Sequence, residues 1–305
     1  MTDVRISVIV TIVDGKSALG NCLRALADQV DAPQLEIIVP WDASLAWADT
    51  LAAANPDIRF LPLGVLSTEK AIESPAGQHE LFDRRRAAGL AAAKGDIITI
   101  IEDRGVPDPD WAATVDRLHR EHEHAAIGGA VECGIDRNLN WAVYFCDFSR
   151  YQLPFQAGSR SYVTDVNIAY KRAALMTVRE LWDGRYHETT VNWALMRSGQ
   201  KLFLSPEMVV RQVREDITLS RVLHERSDWG RLFAYTRARE CTTLKRLGYG
   251  LLSPLLPLQL FVRHSLTQLK KRIRLGKFVL ASPLVMLLLV FWSLGEMRGY
   301  LTGKP

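Results

Sequence analysis

Through the first hundred residues, short β-branched and apolar runs alternate with stretches whose apolar positions recur every three or four residues. RISVIVTIV (5–13), LEIIVPWD (35–42), IRFLPL (58–63) and DIITII (96–101) predict strands. KSALGNCLRALADQV (16–30) and the alanine-rich LFDRRRAAGLAAAKG (81–95), stopped by Gly95, predict helices between them. Strands that are apolar on both faces and joined through helices by short connections predict an open, mostly parallel sheet covered by helices. In such sheets ligands sit beyond the carboxyl ends of the strands. That singles out Thr11 to Asp14, Pro40 to Ser44, and Glu102 to Arg104.

From about residue 130 the rhythm loosens. WAVYFCDFSRYQLPF (141–155) is rich in aromatics, and DVNIAYKRAAL (165–175) reads as a strand entering a helix. HETTVNWALMRSG (187–199) predicts a helix ending at Gly199, followed by the strand QKLFLSPEMVV (200–210). The back of the chain differs. GLLSPLLPLQLFV (250–262) is apolar but interrupted by Pro254 and Pro257, and KKRIRLGK (270–277) is strongly basic. FVLASPLVMLLLVFWSLG (278–295) then runs 18 residues without a charge, near the lower limit for crossing a hydrocarbon layer of ~30 Å. The basic flank, with Trp292 and Tyr300 near the far end, favours a membrane over a buried core helix. Pro283 and the marginal length leave two forms open: a single span, or helices lying in the interface.

Charge sharpens this division. The net charge of +4 sums a balance of −6 over residues 1–215 and +10 over residues 216–305. Two parts are expected: an α/β domain (1–215) and a basic, apolar helical segment for membrane association (216–305). Nucleic acid fits the tail poorly, because its charges alternate with long apolar runs instead of forming one solvated face. Cys22, Cys133, Cys146 and Cys241 form no CxxC pair and read as reduced thiols of a cytosolic protein. MTDVRISVIV has no basic region leading into a long apolar run, so no secretory signal is expected.

The segments ISVIVTIVD, EIIVPWDAS, RRRAAGLAAAKGDIITIIEDRGVPDPDW, DVNIAYKR and HETTVNWALMRSGQKLFLSPEMVV agree in order, spacing and chemical type with one family. In these the chain resembles glycosyltransferase family 2, of GT-A fold, and its WSLG and GYLTG ending resembles membrane-bound bacterial members. The resemblance implies an inverting transferase with a Rossmann-like mixed sheet. It would move a sugar from a nucleotide-diphosphate donor to a hydroxyl of a lipid-linked or glycan acceptor, at the cytoplasmic face of a membrane. The competing expectation is a GT-A-shaped membrane subunit without catalysis, which binds nucleotide or scaffolds a partner.

Carried over by position, the resemblance assigns Thr11, Asp14, Asp42 and Arg86 to the nucleotide. Without it, Asp42 reads as a turn residue and Arg84 to Arg86 as a solvated helix face. Glu102-Asp103-Arg104 falls on the family's acidic metal motif, where Mg2+ or Mn2+ bridges the donor diphosphate. Arg104 stands where a carboxylate is expected, and Gln212 where a histidine ligand is expected. One reading gives Arg104 the charge that the ion otherwise brings, since a guanidinium binds phosphate bidentately. Glu102 and Asp103 would then bind ribose hydroxyls or orient Arg104. The other reading turns Arg104 into a surface ion pair and leaves Asp103 as the metal ligand. Metal dependence is accordingly expected to be reduced or absent. Glu188, eleven residues before Gly199, falls on the catalytic base, with His187 as a second candidate. Arg231, in SDWGRLFAYTRAR (227–239), falls where relatives close a loop or helix over the diphosphate; packing of an amphipathic helix explains that stretch equally well.

Overall fold

The computed structural model describes residues 4–13, 15–238 and 241–304. Among them, nine strands form one sheet. β1 (Ile6–Thr11), β2 (Leu35–Trp41), β3 (Arg59–Pro62) and β4 (Ile97–Glu102) pair in parallel, with β2 and β4 on opposite sides of β1. β5 (Gly105–Pro107), β6 (Ala126–Cys133), β7 (Gly158–Arg160), β8 (Asn167–Lys171) and β9 (Leu202–Gln212) complete it. The lateral order is β3-β2-β1-β4-β8-β6-β9-β5, with β7 also on β9.

The mostly parallel sheet expected from the front of the chain is corrected beyond β4. There β8 runs antiparallel to β4 and β6, β5 and β7 run antiparallel to β9, and only β6 with β9 is parallel. β5 and β7 have three residues each and take their direction from pairing with the long strand β9.

The helices are α1 (Lys16–Ala27), α2 (Ala48–Ala54), α3 (Pro75–Ala92), α4 (Trp111–Glu121), α5 (Asn138–Phe148) and α6 (Arg172–Met176). α7 (Glu188–Arg197), α8 (Leu219–Ala238), α9 (Thr243–Leu252), α10 (Leu256–Lys271) and α11 (Leu275–Thr302) follow. Two compact units emerge: residues 1–69, 78–134 and 153–213, and residues 70–77, 135–152 and 214–305. The second therefore takes in α5, which lies within the front span of the sequence.

In the first unit, Val8, Val10 and Ile101 of the central strands pack with Leu19 and Leu23 of α1 and Trp111 and Val115 of α4. Each buried side chain of this size stabilises the fold by ~1.5–3 kcal/mol. Trp111 Nε1 donates to Asn167 Oδ1 at 3.0 Å, and Asn167 Nδ2 donates to the carbonyls of Ala130 (2.9 Å) and Met208 (2.8 Å). This one buried amide ties β8 to β6 and β9. Because the chain leaves β1 toward β2 and returns to β4 on the other side, their carboxyl ends form the switch point where ligands bind in such sheets.

In the second unit, α11 packs along α8, α5, α10 and α9. Pro254 lies in a single 3-10 turn (Ser253–Leu255) and Pro257 in the first turn of α10, where no N–H is required. The two prolines thus start a helix instead of breaking one. α11 contains the whole charge-free run and is, among the described residues, the helix long and apolar enough to cross a membrane; 39% of its most apolar window is buried within the protein. Arg226 of α8 grips Asp147 of α5 through both guanidinium ends at 2.5 Å.

Candidate active site

Thr11 and Glu102 end β1 and β4 as register partners. Arg86, from α3, sits against both. Its Nε donates to Thr11 Oγ1 at 3.2 Å, and its Nη2 lies 3.5 Å from Glu102 Oε1. Its Nη1 lies 2.9 Å from Asp165 and 3.9 Å from Asp83. Burial opposes the charge of a side chain that is only 5% exposed, but Asp165, Glu102 and Asp83 outweigh it and raise the Arg86 pKa. Arg86 is a fixed cation joining three carboxylates.

Asp165 passes this network on. Its backbone N–H donates to Glu188 Oε2 at 3.0 Å, while Asn192 Nδ2, one turn along α7, donates to Glu188 Oε1 at 3.3 Å. Tyr170 in turn donates to Asn192 Oδ1 and shares a hydrogen bond with Tyr186, both at 2.8 Å. Burial, then the neighbouring Asp165 charge, pushes the Glu188 carboxyl up to about 8. Glu188 thus sits at the first turn of α7 with a strong affinity for a proton.

The acidic motif is occupied from within. Arg104 Nε donates to Glu102 Oε2 at 2.7 Å, so two guanidiniums flank the Glu102 carboxylate. Asp103 is fully buried; its N–H donates to Thr11 O at 2.9 Å and its Oδ2 accepts from Gly15 N at 2.6 Å. Gly15 adopts φ +95°, which a residue with a side chain rarely tolerates. Asp103 therefore holds the turn between β1 and α1. Gln212 is brought to the same place: it pairs with Gly105, and Val213 N donates to Arg104 O at 2.8 Å. Gln212 is buried, and its Nε2 has no hydrogen-bond partner among the described residues.

These groups do not fit a divalent cation, which needs several oxygen ligands. Among the described residues no three His, Cys, Asp or Glu side chains converge for an ion. The strand end also holds two guanidiniums, both paired with the Glu102 carboxylate, and the Gln212 amide N–H, which has no hydrogen-bond partner among the described residues.

Asp42 lies beside this cluster. Its Oδ1 accepts from Ser44 N at 2.9 Å, and its Oδ2 accepts from Arg85 Nε at 2.6 Å. Burial alone would raise the Asp42 pKa, but Ser44 and Arg85 bring it below the ordinary value. Arg85 also donates to Ile12 O at 3.3 Å, so it braces the strand ends from α3.

Behind Arg86 is a second titratable group. Asp83 is buried, 3.3 Å from Arg185 Nε and 3.9 Å from His79 Nε2. Burial raises its pKa to about 6 against the opposing charges of Arg86, His187 and Arg185. His187 Nδ1 lies 3.2 Å from Thr190 Oγ1, and its ring meets His79 edge-on at 6.2 Å. Burial lowers the pKa of both histidines, that of His79 to about 4.

No protein-family model matches this chain, and no curated protein matches it in sequence. Solved structures do match in shape. The mannosyltransferase PcManGT from Pyrobaculum calidifontis, in complex with GDP-Man and Mn2+, superposes with a TM-score of 0.52 at 12% identity over 99% of this chain and 88% of that one. S. aureus TarS 1–349 in complex with UDP-GlcNAc gives 0.52 at 11% identity over 98% and 90%. The fold is the GT-A fold. At such low identity the likeness carries the architecture and no more.

Within this GT-A fold, the residues expected from sequence separate into groups. Thr11, Arg86, Glu102, Arg104 and Glu188 join one continuous polar network through Asp165. Asp103 and Asp42 border it as holders of turns, and Asp42 is both the turn residue and the ion-pair partner of Arg85. Asp14 lies outside the described residues. Arg231 belongs to the second unit, where its Nε donates to Lys304 O at 3.3 Å. Asp165, Asp83 and Arg85 were not singled out in the sequence. Asp165 opens DVNIAYKR, and Asp83 precedes Arg86 by one helical turn, a spacing that brings two side chains together.

Proposed function

We propose that the protein is a glycosyltransferase that moves a sugar from a nucleotide-diphosphate donor to an acceptor hydroxyl. One observation carries the reading: at the carboxyl ends of β1 and β4, Arg86 joins Thr11, Glu102 and Asp165, and Asp165 leads directly to the Glu188 carboxyl. Glu188 accepts the proton of the acceptor hydroxyl as that oxygen attacks the anomeric carbon. Its raised proton affinity suits a base, and direct attack inverts the anomeric centre. Arg86 is a positioning residue that fixes Glu102 and Asp165. Arg104, with 18% of its side chain exposed against 5% for Arg86, and the Gln212 amide N–H stabilise the departing diphosphate. That assignment makes transfer independent of Mg2+ or Mn2+.

Bound GDP-Man and UDP-GlcNAc in two structures of the same fold support a nucleotide-sugar donor. The reading includes a lipid-linked or glycan acceptor at the cytoplasmic face of a membrane, with α11 as the supporting element. A second reading, a nucleotide-binding subunit without catalysis, draws on the internal pairing of Glu102 and Asp42. Release of UDP or GDP from their sugars separates the two: the transferase shows turnover that Glu188→Gln abolishes, whereas the subunit binds nucleotide without turnover.

A further inference from the structure

Helix α10 is inside out. Its buried positions include His264 and Gln268, with Gln268 Nε2 donating to Gln152 Oε1 at 2.8 Å and His264 Nδ1 lying 3.3 Å from Ser149 Oγ. Lys271 Nζ also bonds inward, to Gln152 O. Pro257 and Phe261, which stacks on Phe278 at 6.0 Å, also face inward, but six apolar residues face out: Leu255, Leu258, Val262, Leu266, Leu269 and Ile273 are each between 48% and 64% exposed. Their spacing of three and four keeps Leu258, Val262, Leu266 and Leu269 on one face of the helix, with Leu255 just before it and Ile273 two residues after its end. A helix buried against its own protein shows the reverse. A buried polar row opposite a long exposed apolar stripe marks a surface made for another phase or partner. Neighbouring helices repeat the feature, with Leu244 and Leu251 on α9 and Val279 and Leu280 on α11 at least 65% exposed.

Charge identifies the occupant. Residues 241–295 contain eight Lys or Arg and no Asp or Glu. Arg263, Lys270 and Arg272 are exposed between the outward leucines. A second copy of this segment would repel it, whereas an anionic leaflet offers acyl chains to the stripe and phosphates to the cations.

The packing of α11 limits how it meets that leaflet. Its first half packs on α5, with Phe278 edge-on to Phe145 at 5.2 Å. Its second half touches the backbone of α8: a Cβ at Gly295 would lie 2.0 Å from Ser227 O, and one at Gly299 would lie 2.5 Å from Arg231 O. Over that contact α8 carries Arg226, Asp228 and Arg231. A crossing α11 would carry these charges into hydrocarbon, where they are costly.

We infer that the protein binds an anionic leaflet through the outward stripe of α10 and the exposed apolar residues of α9 and α11, lying in the interface without crossing. This rests on the membrane part of the functional reading and is independent of the transfer chemistry. The test is flotation of the full chain with phosphatidylcholine vesicles, with and without phosphatidylglycerol. Binding to the phosphatidylglycerol vesicles is expected, about tenfold weaker without that lipid or in high salt, and reversed by alkaline carbonate. Leu258→Glu with Leu266→Glu should abolish binding with an unchanged thermal melt. Lys270→Glu with Arg272→Glu should lower binding by about tenfold or more, and it decides the matter if the leucine variant fails to fold. Carbonate-resistant, protease-protected insertion would overturn the interfacial mode while leaving the membrane reading intact. Absence of vesicle binding, or a soluble dimer broken by Leu258→Glu, would overturn both and leave the transfer chemistry untouched.

Discussion

The Asp165 carboxylate lies 2.9 Å from Arg86 Nη1, while the backbone N–H of the same residue donates to Glu188 at 3.0 Å. One residue thereby touches both the fixed cation Arg86 and the carboxyl assigned as base. The Asp165 charge raises the proton affinity of Glu188, and Arg86 opposes that effect from the other side. Glu188 is also faced by the phenols of Tyr170 and Tyr186, whose pKa values burial raises well above the usual range.

Transfer should therefore depend on pH through Glu188. The base must be ionised, and its pKa is raised to about 8, so activity should climb from neutral pH toward mildly alkaline pH and fall on acidification. Asp165→Asn removes the negative neighbour, lowers the Glu188 pKa and should move the rising limb of the kcat/KM profile to lower pH. A limb that stays in place would separate the profile from this pair.

Glu188→Gln keeps the shape and one of the two hydrogen bonds accepted from Asp165 N and Asn192 Nδ2, but cannot accept a proton. Turnover should fall by ~10²–10⁴ while donor affinity stays near wild type. Parallel single-turnover and binding measurements check this, and loss of binding would contradict the assignment.

Arg86 carries structure as well as the site. Arg86→Leu leaves Glu102, Asp83 and Asp165 without their shared cation, and should destabilise the protein by about 3–5 kcal/mol. The urea midpoint reports it. Arg86→Lys restores the charge without the multiple hydrogen bonds and should recover only part of the loss.

Much of this was legible in the sequence. β1, β2, β4 and α7 follow from strong local patterns, Thr11, Glu102 and Arg104 follow from lying at strand ends, and Glu188 follows from the family resemblance by position. The antiparallel half of the sheet was not legible, because β5 and β7 have three residues each and take their direction from pairing with β9. α10 was misread from its prolines, which mark its start. Asp165 and Asp83 were missed because their significance comes from converging on Arg86 across the fold, and hydrophobic periodicity does not register it.

The crossing of α8 and α11 has no room for a side chain. Gly295→Ala places a methyl 2.0 Å from a backbone carbonyl, and Gly230→Ala one 2.2 Å from Trp292 O. Each should destabilise the helical unit by about 1–3 kcal/mol, visible as a lower melting temperature or faster proteolysis after residue 213.

In the proposed reaction Arg104 and Gln212 take the place of a metal at the diphosphate. Arg104→Ala should cost ~10²–10³ in turnover without rescue by Mn2+. Arg104→Asp combined with Gln212→His should instead acquire dependence on Mn2+. The most direct measurement is calorimetric titration of UDP- and GDP-sugars into the wild-type protein, in EDTA and then in Mn2+. Equal affinity in both conditions, lost in Arg104→Ala, is the predicted result. Binding that appears only with Mn2+ would contradict the claim and return Asp103 to the role of ligand.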